Sequence, residues 1–142
     1  LLPARRYSSR AVPDIPMAPA DRREWISRVE ACSTRFRDGE IDLRALPLEL
    51  AEILRGFAAA RTGEPTESAT AQEILRMAGV RLHPFEELGR RRRPRPEHDL
   101  EDNPLGHVGR LLEEWEQPSF DREPQAAAQE ALTHAREVVT RW

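Results

Sequence analysis

Four histidines, one cysteine, two adjacent glutamates and a run of arginines are the residues whose types could do chemistry in this chain. Their spacing restricts what that chemistry would be. His83, His98, His107 and His134 share no metal-site spacing. Glu130 and His134 lie one helical turn apart and could approach one cation together, but two ligands fall short of a zinc site. A pair on a helix surface is the plainer reading. Glu113 and Glu114 precede Trp115 and invite an acid/base reading, yet adjacent residues of a helix point in different directions. The single cysteine, Cys32, has no partner for an internal disulfide and falls in an apolar helical stripe, so it reads as a small buried hydrophobe. There is no Gly-rich phosphate loop, nucleophile elbow or zinc-peptidase pattern, and Gly63-Glu64-Pro65-Thr66 lacks the lysine that cradles phosphate. The expectation is a protein that is not an enzyme and needs no cofactor or metal.

Two further features are candidates for binding. Arg90, Arg91, Arg92, Arg93 and Arg95 could take phosphates, anionic lipid headgroups or an acidic partner surface. Glu97, Asp99, Glu101 and Asp102 follow closely and partly cancel them, and no aromatic interleaves to stack on bases. With a net charge of -3, a nucleic-acid partner gets no support from the charge balance. Residues 84–103 therefore read as a charge-segregated, mobile loop. Trp25, Trp115 and Trp142 each fall on an apolar stripe, which makes core packing the default for all three. Trp142, near the end of its stripe, is the candidate partner-binding aromatic.

The elements that must position these residues are helices. Trp25, Val29, Cys32 and Phe36 recur at steps of four, three and four, and Leu43, Leu46, Leu50, Ile53, Leu54 and Phe57 form a second series after the turn signal Asp38-Gly39. Two apolar stripes joined by a short polar link predict an antiparallel helical hairpin, since each Å² left wet forfeits roughly 25 cal/mol. Asp21 with Glu24 predicts a capping-box start for the first helix, with Pro19 just outside it. Asp42 is the expected cap of the second helix. Pro47 then requires either a separate turn over residues 43–46 or a kink. Gly63 is the expected stop. Thr70 with Glu73 predicts a short helix ended by Gly79, after which Val80 and Leu82 can fold back. Asn103-Pro104 opens a helix lined by Leu105, Val108, Leu111, Leu112 and Trp115 and ended by Pro118. Phe120 anchors the next connection, and Pro124 opens a last helix with Ala128, Ala131, Leu132, Ala135, Val139 and Trp142 on one face. The fold expected is all-α: a small bundle of four main helices plus one short one over residues 21–142, behind an extended Pro/Arg-rich tether at 1–20.

At 142 residues, with 33% charged and 6% aromatic, the chain suits one small helical domain. All 22 basic residues are arginine, as high-GC coding bias would produce. No run of 18 apolar residues exists. The opening Leu1-Leu2-Pro3-Ala4-Arg5-Arg6 fits two origins. Either it is the end of a transmembrane helix with Arg5, Arg6 and Arg10 as its cytoplasmic flank, or Arg5 to Ser9 closes a mitochondrial presequence.

Four segments together carry a family resemblance. They are Arg61-Thr62-Gly63, the Thr-Ala-Gln-Glu-Ile of Thr70 to Ile74, the Leu-Leu-Glu-Glu-Trp of Leu111 to Trp115 followed by Phe120, and the terminal Ala135 to Trp142. In this order they resemble the soluble tail of small actinobacterial membrane proteins encoded beside MoxR-type AAA+ ATPases and von Willebrand factor A domain proteins. The likeness covers roughly residues 23–142, apart from the insertion-like stretch 84–103. It implies a helical domain tethered on the cytoplasmic face of the inner membrane by a segment preceding Leu1. It also implies an adaptor role for an ATPase-linked chaperone or envelope-assembly system, with the ATPase or the von Willebrand protein as partner and no catalytic residues to carry over. The alternatives are an accessory subunit of a mitochondrial assembly and a nucleic-acid or anionic-surface binder acting through Arg90 to Arg95.

Overall fold

The computed structural model describes residues 13–80, 99–116 and 123–142, and among them every regular element is helical. In chain order these are α1 (Pro19–Arg37), α2 (Ala45–Thr62), a 3-10 turn (Thr66–Ser68), α3 (Ala71–Met77), α4 (Pro104–Trp115) and α5 (Pro124–Arg141). Four main helices and one short one make the expected all-α bundle.

The start of α1 differs from expectation. Pro19 is inside the helix at its first turn, and the cap is Ala18, which makes no side-chain bond. A proline is well suited to that position, because its missing N–H would have had no helical acceptor. Asp21 lies in the first turn, where a carboxylate complements the helix dipole without capping it. Residues 13–17 also depart from a free tether, since Ile15 N–H bonds the Arg61 carbonyl at 2.6 Å. α1 stops as expected: Gly39 adopts φ 81° and Glu40 N–H reaches back to the Arg35 carbonyl at 2.8 Å.

The turn before Pro47 is shorter than the expected 43–46: it covers residues 43 and 44, Ala45 and Leu46 already belong to α2, and the helix cap is Arg44, not Asp42. Asp42 Oδ1 accepts from the amides of Arg44 at 3.1 Å and Ala45 at 2.8 Å, which closes that turn ahead of α2. Pro47 is then the third residue of α2, within its first turn, where a missing N–H is tolerated. The helix ends at Gly63, in the left-handed region at φ 77°.

α2 is the central element, packed against α1, the 3-10 turn, α4 and α5. Leu46, Leu50, Leu54 and Phe57 of the expected stripe are fully buried, while Leu43 and Ile53 are only partly covered. Ala51 and Ala58 are buried as well, because neighbours close on α2 from more than one side. Phe57 meets Trp25 edge-on at 5.8 Å and Trp142 edge-on at 5.7 Å. Trp25 can come that close because residue 56 is glycine: a Cβ there would stand 2.9 Å from the indole.

Local caps carry the chain through the rest. Thr70 and Glu73 form the expected reciprocal capping box. Gly79 is left-handed at φ 80°, and Val80 N–H bonds the Leu75 carbonyl at 2.9 Å, which brings Val80 back into the core. Asn103 caps α4 through Gly106 N–H at 3.1 Å and donates to the Ala78 carbonyl at 3.1 Å, joining the end of α3 to the start of α4. α3 lies on α4 at Gly109, where a Cβ would sit 2.8 Å from Leu75. Leu100, within the stretch expected to be a mobile loop, is 8% exposed and belongs to the core. Leu82, Pro118 and Phe120 lie outside the described residues.

Phe57→Ala should lower stability by about 3–5 kcal/mol, since it removes an aromatic held between two others; equilibrium urea unfolding measures it. Thr70→Ala should cost about 1 kcal/mol through the lost cap, whereas Asp21→Ala should cost about 0.5 kcal/mol or less, as a dipole contact alone. Equal losses in the two variants would contradict the cap assignments.

Candidate docking surface

Among the described residues, the sequence candidates do not converge on one site. Arg90 to Arg93, Arg95, His83 and His98 lie outside the described residues. Glu113 pairs with Arg110 within α4, while Glu114 is exposed, so the two glutamates do not act together. Arg110 and Glu113 sit at i and i+3, a geometry worth a few tenths of a kcal/mol at a surface.

The tertiary structure brings His107 of α4 and His134 of α5 together, with ring centroids 6.3 Å apart and planes at 72°. Sequence spacing could not reveal this, since the two lie on different helices. His134 Nδ1 is 3.7 Å from Glu137, on its own helix, and Glu130 is exposed. Among the described residues no three His, Cys, Asp or Glu side chains are grouped to hold a metal ion.

Cys32 is buried as expected, and its Sγ lies 4.0 Å from Glu49 Oε1. Burial pushes the thiol up to about 11 from 9.0; the Glu49 carboxylate adds to the rise and Arg35 partly offsets it. A thiol in that range keeps its proton at neutral pH and is a poor nucleophile.

The polar group that sequence reading missed is at the other end of α2. Arg61 is only 8% exposed, an unusual depth for a guanidinium. Its Nη1 donates to the Ile15 carbonyl, and its Nη2 lies 3.5 Å from Asp14 Oδ2. Asp14 Oδ1 accepts from Trp142 Nε1 at 2.9 Å. Arg22 of α1 adds two bonds to carbonyls at the end of α5, to Val139 at 2.8 Å and Trp142 at 3.1 Å, where a cation complements the helix dipole. Trp142 is therefore a core residue, 5% exposed, with its polar edge satisfied inside the chain. The only sequence signal was an arginine in the last turn of a helix, which is ordinary dipole chemistry and says nothing of burial.

Three surface features stand out among the described residues, the first a wide hollow between the 3-10 turn and α3, lined by Pro65, Ser68, Ala69, Glu73, Arg76 and Met77. Pro16, Met17, Asp21, Glu24, Trp25, Arg28 and Ala60 line a shallow hollow of about 240 Å³, in which Arg28 lies over the Trp25 ring at 4.3 Å. Leu48, on the outer face of α2, is 62% exposed, the most open large apolar side chain among the described residues. No helix among the described residues is long and apolar enough to cross a membrane. No family model, curated protein or solved structure matches the chain.

Cys32 should resist iodoacetamide at pH 7.5 in the folded chain and react at the rate of a free thiol once urea unfolds it. Because its folded pKa is raised, the stability it contributes is complete below pH 9 and falls as pH rises from 9.0 towards about 11. Cys32→Ala should remove that part of the alkaline loss, as measured by unfolding at several pH values.

Proposed function

We propose that this chain is a non-enzymatic interaction module, held to a membrane by a segment preceding Leu1 and serving as an adaptor in a MoxR-type ATPase system. The observation that supports this reading is the polarity of α2. At its C-terminal end, residues 13–17 are pinned to the bundle through Arg61, so the preceding chain leaves from a defined place. Near its N-terminal end, Leu48 is open to solvent. Fifteen residues of helix separate Leu48 from Gly63, or about 22 Å at 1.5 Å per residue. A module anchored at the pinned end holds the apolar end away from its anchor, towards a partner. The resemblance to proteins encoded beside MoxR-type ATPases and von Willebrand factor A domain proteins supplies the class of that partner.

The test is to co-express the full chain with a MoxR-type ATPase and with a von Willebrand factor A domain protein and to purify through a tag on this chain. One of the two should co-purify, and Leu48→Glu should weaken the complex at least about tenfold, since a buried unpaired charge is costly. Thermal unfolding should be unchanged, because Leu48 is on the wet face. A chain that retains neither protein contradicts the reading.

A further inference from the structure

Where α2 and α5 end, the bundle holds a short peptide that happens to be its own. Residues 13–17 precede α1 without helical structure and cross this end as a strap. The bonds that hold it are of two kinds. Backbone recognition is reciprocal: Ile15 N–H donates to the Arg61 carbonyl at 2.6 Å, and Arg61 Nη1 donates back to the Ile15 carbonyl. Charge recognition centres on Asp14, whose carboxylate faces both Trp142 Nε1 and Arg61 Nη2. The donors of this second set belong to the bundle and are deeply placed; the acceptors belong to the strap.

Apolar burial adds little by comparison. Ile15 is 44% exposed, with its Cδ1 resting beside Gly63, and Met17 is only partly covered. Segments with few buried apolar contacts are the ones that open locally without global unfolding. Opening here takes the Ile15 carbonyl and the Asp14 carboxylate away from the Arg61 guanidinium and the Trp142 indole N–H, positions that a second segment of the same chemistry can fill with charge-assisted bonds.

We infer that this groove is an interaction site for an extended partner segment carrying an acidic residue followed by an aliphatic one, and that residues 13–17 are its autoinhibitory occupant. The carboxylate of the incoming segment takes the place of Asp14 between Arg61 and Trp142, and its next peptide unit takes the two backbone bonds of Ile15. Trp142 thus takes part through its indole N–H, not through the face of its ring. The site shares its strap with the anchored end in the adaptor reading, whose docking residue, Leu48, lies towards the opposite end of α2 and is not part of the groove.

The experiment follows the Trp142 indole N–H resonance in the full chain, with the peptide Pro-Asp-Ile-Pro-Met-Ala, capped at both ends, as probe. In the unsubstituted chain the tethered strap acts at an effective concentration on the order of millimolar, so added peptide at about 0.1 mM should leave the strap in place and the resonance unmoved. In the double variant Asp14→Ala, Ile15→Pro the strap loses its carboxylate and its amide donor. The resonance should move, and peptide should return it towards its original position. The same peptide with Asn in place of Asp should bind about tenfold more weakly, having lost the charge from its hydrogen bonds. The inference is overturned if peptide at about 10 mM fails to return the resonance, or if the double variant leaves the resonance where it was. It also falls if the variant is unfolded by circular dichroism, because the strap is then part of the core, not a replaceable occupant.

Discussion

Phe57 is where the bundle is decided. It is fully buried on the central helix, with Trp25 of α1 on one edge and Trp142, at the end of α5, on another. Each edge-to-face pair is worth about 0.5–1.5 kcal/mol beyond simple burial, and neither forms unless the outer helices close around α2. Once they do, α1 and α5 become neighbours. Arg136 of α5 then reaches Glu30 at 2.7 Å and the Ser33 hydroxyl at 3.0 Å on α1. The remaining sides of α2 go to α4 and to the 3-10 turn, and α3 completes the layer by settling on α4 at Gly109.

Buried polar groups define the junctions of this arrangement. Thr66 donates to the Arg55 carbonyl at 2.7 Å while Arg55 Nε donates to the Ala69 carbonyl at 2.9 Å, which ties the turn after α2 back onto that helix. Asn103 does the same between α3 and α4, and Arg61 between α2 and the strap. Apolar faces require only that helices pack, whereas a buried donor requires a particular acceptor. Surface ion pairs such as Arg35 with Glu49 at 2.8 Å stand between half-exposed side chains and contribute little by comparison.

The two ends of α2 consequently differ in chemistry. One end is closed by charged and backbone hydrogen bonds around a guanidinium; the other presents an aliphatic side chain to solvent. The helix that organises the core also sets the distance between them.

What could be read from the sequence was whatever is satisfied within a few residues. The Thr70–Glu73 box, the Asn103-Pro104 start and the glycine stops at 39, 63 and 79 are local bargains between a side chain or a backbone angle and its near neighbours, and all were legible. The start of α1 was misplaced because Pro19 and Asp21 are competing local signals of the same kind. The apolar periods also determined that four long helices and a short one exist and which faces they bury. Periodicity does not say which helix is surrounded. Only the tertiary structure put α2 at the centre, brought His107 to His134, and joined Asp14 to residues 47 and 128 positions away, at Arg61 and Trp142. The reason is that an amphipathic stripe records that a face must leave water, while its partner is chosen by shape and by buried donors that act across the whole chain.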